Sequence, residues 1–562
     1  MFNHKKYRPF TAVPKPNRRW PDNTITHAPI WCAVDLRDGN QALIEPMSVL
    51  QKQKLWALLV KMGFKQIEVG FPSASQADFD FVRWLIDEKQ IPADVTVQVL
   101  VQARDVLIER TFASLQGIER AIVHVYNSVS PVQREKVFAS DKAGIIELAI
   151  KGARKLQKEA QKYPDTAWTF EYSPESFSST ENDFSIAISN AVIDVWQPTP
   201  EHKAIFNLPA TVECATPNAY ADQIEFFCEQ INRRDSIIVS VHTHNDRGCA
   251  VAAAEMAILA GADRVEGTLM GNGERTGNMD LITMAMNLYS QGIDPKLDIS
   301  NADEITRIVS ECTNISTHPR HPWVGELVYA AFSGSHQDAI KKCLSLQTDD
   351  ASWDVAYLPI NPRDVGRSYQ SVIRVNSQSG KGGVAYLLEQ HYGIALPRWL
   401  QIEMSAQVQA LAEREQGEVD AKTIFEVFQR HCMQHDGIYS AQGYSLEKFS
   451  ASGSGGTIAA EKMSIALCNG ETIRTICGEG TGAVSAFCDA IQKGLGIDMQ
   501  IQHYDQIALE TGTNATAMVF VSVNIAQQNY VGAAQDSDIV TAGINALLVV
   551  LNRHQKGRAN AA

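Results

Sequence analysis

No apolar run in the chain approaches the roughly 18 residues that a membrane span needs, and mean hydropathy is -0.16. There is no CxxC pair. The ten cysteines stand singly, which fits reduced thiols in a cytoplasmic protein better than a disulfide-stapled secreted fold. Basic charge is not in excess: 64 acidic side chains face 50 basic ones, and a net charge of -14 repels phosphate backbones, so neither nucleic acid nor membrane is expected as a partner. The first 19 residues lack any acid and hold Lys5, Lys6, Arg8, Lys15, Arg18 and Arg19, yet the apolar core of a secretory signal does not follow. Pro9, Pro14 and Pro16 exclude the amphipathic helix of a transit peptide, so 1–30 reads as an extended arm packed on its own or a partner subunit. No GxGxxG turn follows the first strand, where DLRDGNQ stands instead, which counts against a doubly wound open sheet. SGKGG (379–383) does not fit GxxxxGK[ST], so a P-loop is excluded, and GEGTG (478–482) lies outside any βαβ unit.

What is present is a globular composition, 45% hydrophobic and 20% charged, over 562 residues, enough for about three to four domains or fewer if one is a large barrel. Short β-rich runs occur at 31–38, 66–71, 96–102, 120–127, 167–173, 208–214, 237–244 and 264–271. Most are followed by a helical period, such as 48–63 and the Ala-rich 250–262. That alternation predicts an α/β fold, a (β/α)8 TIM barrel over 31–299. A mainly helical connecting region with little core of its own is expected over 300–437, with helices near 303–313 and 398–416. An α+β domain follows over 438–562, with strands at 463–470, 499–504 and 517–525 and helices near 483–494 and 538–553. A faint repeat of strand, glycine turn and Ala-x-x-x-Ala helix, at 478–490 and 532–546, suggests pseudo-symmetry there.

Chemistry in a barrel sits at the C-terminal ends of its strands. Here the first strand ends in Arg37-Asp38-Gly39, the seventh in His242-Thr243-His244 and the eighth in Gly271-Asn272-Gly273-Glu274-Arg275-Thr276-Gly277-Asn278. Two histidines two apart on a strand point to one side, and with a facing carboxylate they form the ligand set of a catalytic divalent cation. Arg37 is either an ion-pair clamp on Asp38 or Glu68 or a stabiliser of developing negative charge beside the metal. Glu68 and Glu175, at the ends of strands two and five, are candidates for a base or a water holder, with at least one of them structural. Thr211, ending strand six, can hold a substrate carboxylate or close a loop.

DLRDGNQAL (35–43), VGFPSAS (69–75), FEYSPESFS (170–178), LPATVE (208–213), SVHTHNDRG (240–248) and GNGERTGN (271–278) together resemble the 2-isopropylmalate synthase family. SGSHQDAI (333–340), YLPINPRDVGR (357–367) and RVNSQSGKGG (374–383) resemble its longer type; the likeness loosens after about 440. The resemblance implies condensation of acetyl-CoA with 2-oxoisovalerate and thioester hydrolysis, the committed step of leucine biosynthesis, in a homodimer. It implies a divalent metal, Mg2+ before Zn2+ or Mn2+, and admits K+. It also implies Asp38, His242, His244 and Asn278 as metal ligands, Arg37 and Thr211 on the keto acid, Glu175 beside it, and His336 with Tyr357 as proton relay.

Asn40 stands where relatives often carry Glu, so no extra carboxylate is supplied there, and 530–543 lacks the Gly-x-Gly expected of a regulatory loop. The resemblance implies leucine inhibition through the C-terminal domain, with Gly480, Gly482 and Val484 in one turn and Ile501, Tyr504 and Ala508 along an apolar side. A dimerisation domain whose glycines only permit tight turns is the alternative. Rival activities are citramalate or homocitrate synthesis, which differ in the 2-oxo acid, and a barrel kept only as an amino-acid sensor, against which the full set Arg37, Asp38, His242 and His244 speaks.

Overall fold

A computed structural model of the chain describes residues 4–6, 10–367, 381–415, 418–434, 437–453, 456–470, 472–510 and 515–561. They fall into two compact units: residues up to Val328 with Ile360–Arg367, and Tyr329–Pro359 with the described residues from Lys381 onward. No helix among the described residues is long and apolar enough to cross a membrane.

The first unit is a closed barrel of eight parallel strands: β1 (Ile30–Ala33), β2 (Gln66–Gly70), β3 (Thr96–Gln102), β4 (Arg120–Ser128), β5 (Ala167–Glu175), β6 (Ala204–Ala210), β7 (Ile237–Thr243) and β8 (Arg264–Gly267). β1 closes the ring by pairing with β8, Trp31 opposite Val265. Strands buried on both faces read as continuous apolar runs; Val97, Val99 and Val101 of β3 are fully buried. Helices take up the outer layer with local stop signals: Val49–Met62 starts on a Ser48/Gln51 capping box and ends at Gly63, whose φ of 100° only glycine adopts easily. The arm packs on its own barrel. Lys15 pairs with Glu225 and Glu229, Arg18 with Asp222, and the buried Trp20 donates its indole N–H to Asp222 at 2.9 Å, all on helix Pro217–Gln230.

Three expected strands differ, the eighth because it ends at Gly267, with a 3-10 turn over Leu269–Gly271 in place of strand up to 271. The first ends at Ala33, because residues 35–39 wind into a π-helical turn. The sixth runs over Ala204–Ala210, four residues upstream of the expected 208–214, and leaves Thr211 just beyond its end.

In the second unit β9 (Tyr439–Gly453), β10 (Gly456–Asn469) and β11 (Thr472–Gly480) form one antiparallel sheet, followed by helix Ala483–Leu495. β12 (Gln500–Ala508), β13 (Ala517–Ile525) and β14 (Gln528–Asp536) form another, followed by helix Ile539–Ala561. The repeat is therefore three strands and a helix, larger than the expected strand–helix unit. Its glycines have one job in both copies: a Cβ on Gly478 would collide with the backbone of Ala486 and Ala490, and one on Gly532 with Ala546. They let a helix backbone lie directly on its sheet. Both halves bury a shared core that includes Met463, Ile465, Phe487, Val519, Val521 and Leu547. Residues 530–536 are strand and not loop, with the helix starting at Ile539.

The connecting region has more core than its sequence suggests. Leu388, Leu400, Met404, Val408, Ile424 and Phe428 pack on Met518 and Phe520, which face away from the shared core because β13 alternates sides. RVNSQSGKGG (374–383) lies outside the described residues as far as 380; Lys381 begins helix Lys381–Tyr392.

Gly532→Ala should destabilise the protein by about 1–3 kcal/mol through overpacking against Ala546. Gly443→Ala, on open β9 with nothing within 4 Å, should leave the urea midpoint unchanged. Equal midpoints for the two variants would contradict the direct helix-on-sheet contact.

Candidate active site

The π-helical turn Asp35–Gly39 carries Arg37 and Asp38 into the barrel mouth, both nearly buried. Its backbone closes on Val34 O, which accepts from Asp38 N (2.9 Å) and Gly39 N (3.2 Å). Three contacts hold the turn from outside: Lys52 reaches Leu36 O at 3.3 Å, and from the loop after β8 Leu269 N donates to Asp35 Oδ1 at 2.9 Å and Asn272 Nδ2 to Gly39 O at 2.9 Å.

His242 ends β7 with Thr243, and His244 follows in a bridge to Asn278. The two-residue spacing turns both imidazoles inward, with Nε2 atoms 3.3 Å apart. Asp38 Oδ2 lies 3.5 Å from His242 Nε2 and 3.8 Å from His244 Nε2. The other oxygen, Oδ1, accepts from Arg37 Nη1 at 2.6 Å. Asn278 is brought beside His244 by a loop that crosses itself: Gly271 O accepts from Asn278 N at 3.0 Å, and a Cβ on Gly277 would strike Gly271 O. Gly271 and Gly277 have φ of 70° and 100°, so these glycines shape the crossing.

Asp38 Oδ2, His244 Nδ1 and Asn278 Oδ1 are buried without a hydrogen bond among the described residues. Leaving such atoms unpaired costs free energy, and an unpaired carboxylate oxygen facing two imidazole nitrogens is the donor set of a divalent cation. The Asp38, His242 and His244 ligand atoms fall within 4.8 Å of one another, so the residues fit a metal. The electrostatics agree. Burial opposes a charge on His242, but the adjacent Asp38 carboxylate and the hydrogen bond to Glu266 outweigh it and raise its pKa to about 9; burial and the neighbouring His242 lower His244 to about 4. Burial pushes the Asp38 carboxyl up, and Arg37 with the two histidines holds it well below the usual range.

Arg37 is a clamp: Nε donates to Glu68 and Nη1 to Asp38. Its Nη2 donates to no acceptor among the described residues and Arg37 lines the cavity, so the clamp leaves one end of the fork available. Glu68 is fully buried beneath Arg37 inside β2 and is a structural ion-pair partner, not a base at the strand end.

The mouth opens into a cavity of about 300 Å³. Thr211 and Glu175 both line it; Thr211 Oγ1 accepts from Ser176 N at 2.9 Å, and Ser128 donates to Glu175. Phe71, Leu100, Tyr126 and Pro209 supply an apolar side, and His124, Ser173 and Asn207 a polar floor. Sequence reasoning missed these last residues, although the period of two along β4, β5 and β6 pairs His124 with Tyr126, Ser173 with Glu175 and Asn207 with Pro209. Asn40 is a loop brace, accepting from Met47 N at 2.7 Å.

His336 and Tyr357 belong to the second unit, where their rings stack with centroids 4.0 Å apart; Tyr357 has a φ of 66° and is 60% exposed. Of the regulatory set, Gly480 ends β11, Gly482 caps helix Ala483–Leu495 and Val484 lies in its first turn. A register shift between Ile501 and His503 puts Ile501 opposite Val523, Tyr504 opposite Val521 and Ala508 opposite Ala517. Ile501 packs against the shared core of this domain.

Residues 28–309 match the HMGL-like family, 326–389 the alpha-isopropylmalate synthase post-catalytic domain-like family, and 418–555 the LeuA allosteric (dimerisation) domain. The chain is similar to a 2-isopropylmalate synthase of Pseudomonas fluorescens (strain SBW25), 53% identical over 549 residues that cover 98% of this chain and 97% of that one. One from Alcanivorax borkumensis is 51% identical over 555 residues, covering 99% and 98%.

Burial raises the Asp35 carboxyl to about 8, against the Leu269 N–H that favours its charge. A carboxyl whose pKa is raised on folding contributes most below its unfolded value near 4, and loses that contribution as pH climbs toward 8; at pH 7 the cost reaches about 4 kcal/mol. Asp35→Asn keeps an acceptor for Leu269 N and should gain stability over wild type between pH 4.5 and 7.5 in urea melts. A difference that stays constant across that interval would show Asp35 ionised in the folded protein.

Proposed function

The chain belongs to the 2-isopropylmalate synthase family and is a condensing transferase, and on that premise we propose that it joins acetyl-CoA to 2-oxoisovalerate and hydrolyses the thioester to give 2-isopropylmalate and CoA. The observation that carries the reading is the unpaired Asp38 Oδ2 facing the two histidine nitrogens at the mouth, with Arg37 beside it. Asp38, His242, His244 and Asn278 would hold a divalent cation, Mg2+ first with Zn2+ and Mn2+ as alternatives, whose role is to polarise the ketone of the oxo acid.

The remaining work falls to the chain's own groups. The methyl group of acetyl-CoA gives up a proton, its carbon attacks the ketone carbon, and the ketone oxygen becomes an alkoxide that is then protonated. Water cleaves the thioester and the CoA thiol leaves. The available end of the Arg37 fork would donate to the alkoxide, a fixed cation where negative charge develops. Thr211 spends a lone pair on Ser176 N–H and keeps its proton, which supports a hydrogen bond to the substrate carboxylate. Leu100, Tyr126 and Pro209 would surround the isopropyl group, and Glu175 would border the reacting carbons. Removing the weakly acidic α-proton needs a base within about 3 Å, and His336 with Tyr357 is the pair we assign to it, from this chain or its partner in a homodimer. The LeuA dimerisation domain supports that dimer, and ten free cysteines support a cytoplasmic setting.

Leucine would act as end-product inhibitor at Gly480, Gly482 and Val484, whose backbone suits a free amino acid's charged ends, with Ile501, Tyr504 and Ala508 on the apolar side.

CoA thiol release should favour 2-oxoisovalerate over pyruvate and 2-oxoglutarate by at least about tenfold in kcat/KM, since pyruvate lacks two carbons to fill the apolar side and 2-oxoglutarate would bury a second carboxylate there. Preference for either competitor would give the citramalate or homocitrate reading. Gly482 has extended backbone, and a Cβ added there would meet nothing within 4 Å, so Gly482→Val fits the fold. It should relieve leucine inhibition while turnover is kept; wild-type protein that binds no leucine in calorimetry would refute the regulatory role.

A further inference from the structure

Glu266 lies on β8, fully buried beneath the mouth and outside the cavity lining. Its Oε2 is 3.0 Å from His242 Nδ1 and 3.2 Å from Asn207 Nδ2, while Oε1 takes Arg264 Nη1 at 2.8 Å and Gln98 Nε2 at 3.0 Å. Three of these four partners can only donate through the atoms involved, and an ionised carboxylate can only accept. The fourth, His242 Nδ1, must therefore carry the proton. In the neutral imidazole, the form that binds a cation, that leaves the lone pair of His242 on Nε2, the nitrogen that faces Asp38 Oδ2 and His244 Nε2. The two histidines are not equivalent in this respect, because His244 Nδ1 is buried with no hydrogen-bond partner among the described residues.

We propose that Glu266 is a positioning residue that fixes the Nδ1–H tautomer and ring orientation of His242 and so sets the affinity of the Asp38–His242–His244 cluster for a divalent cation. The inference rests on the reading of that cluster as a metal site. A carboxylate behind a ligating imidazole raises the basicity of the ligand nitrogen and removes the freedom of the ring to turn, and losing such a partner typically costs 10–100-fold in metal affinity. A purely structural alternative is that Glu266 serves only as the counter-ion of the fully buried Arg264. Arg264 has a second acidic group beside it, Glu171, 3.6 Å from its Nη2; burial and the neighbouring Glu266 and Glu68 hold that carboxyl's pKa well above its ordinary value, and loss of the Glu266 charge favours its ionisation against the guanidinium. Glu266→Gln is isosteric and leaves Arg264 with Glu171, so it removes the charge behind His242 without stranding the guanidinium.

The test is chelator competition for Zn2+ and Mn2+ at fixed pH on full-length wild type and Glu266→Gln, with circular dichroism to confirm the fold. We expect about one tight ion per wild-type chain and a 10–100-fold weaker dissociation constant in the variant. A folded Glu266→Gln with wild-type affinity overturns the proposal, whereas wild-type protein that binds no ion at the cluster overturns the metal reading beneath it. If the variant fails to fold, histidine 15N spectra of Zn2+-loaded wild type decide, with His242→Gln identifying the signal. A single His242 tautomer protonated at Nδ1 supports the proposal; an unprotonated Nδ1 or two exchanging tautomers overturn it.

Discussion

Everything at the barrel mouth depends on how Arg37 is paired. Its guanidinium is buried, and it is tolerable there because Glu68 meets it from below and Asp38 from the side. Leaving either charge alone would cost about 3–5 kcal/mol. The geometry of the fork decides the rest: by occupying Asp38 Oδ1 it leaves Oδ2 to face the histidines, and by anchoring through Nε and Nη1 it leaves Nη2 at the cavity. One buried ion pair thus orients both the proposed metal ligand and the proposed donor for developing charge.

Beneath that pair the barrel buries a layer of ionisable groups. Glu68, Glu171, Glu266 and Arg264 are all shielded from solvent, and Gln98 links two of them by donating to Glu68 at 2.7 Å and to Glu266 at 3.0 Å. Such a layer adds little net stability, since desolvation offsets most of the attraction. What it supplies is fixed orientation. Arg37 rests on Glu68 and His242 on Glu266, and both carboxylates are braced by the same Gln98, so the two halves of the Asp38–His242–His244 cluster share one base. The second unit follows a different rule, in which glycines and not charges set the geometry, by letting two helices rest on two sheets.

Much of this is legible in the sequence because it follows short periods. HxH at a strand end gives a shared side directly, and alternating strands and helices give the barrel. Strand six is misplaced by the sequence pattern because β6 is buried on both faces and shows no alternation, while the residues after it, 211–214, alternate and are loop. Residues 35–38 of the turn read as strand because a π-helical turn has no sequence signature that competes with the apolar run before it. Glu266 escapes a reading of the sequence because its role comes from His242 on the neighbouring strand. The core of the connecting region escapes it too, because Met518 and Phe520 complete that core from far along the chain. The relation of His336 to Tyr357 comes from family resemblance alone, since nothing in their spacing announces a stacked pair.

The most direct test of the central claim is an anomalous difference map from crystals grown with Mn2+ or Zn2+ and the 2-oxo acid. The account predicts one strong peak about 2.0–2.2 Å from Asp38 Oδ2 and from the Nε2 atoms of His242 and His244, with the oxo acid's ketone oxygen on the same ion and Arg37 within hydrogen-bonding reach of it. A peak elsewhere in the barrel, or an oxo acid bound with no ion at these three residues, would contradict it.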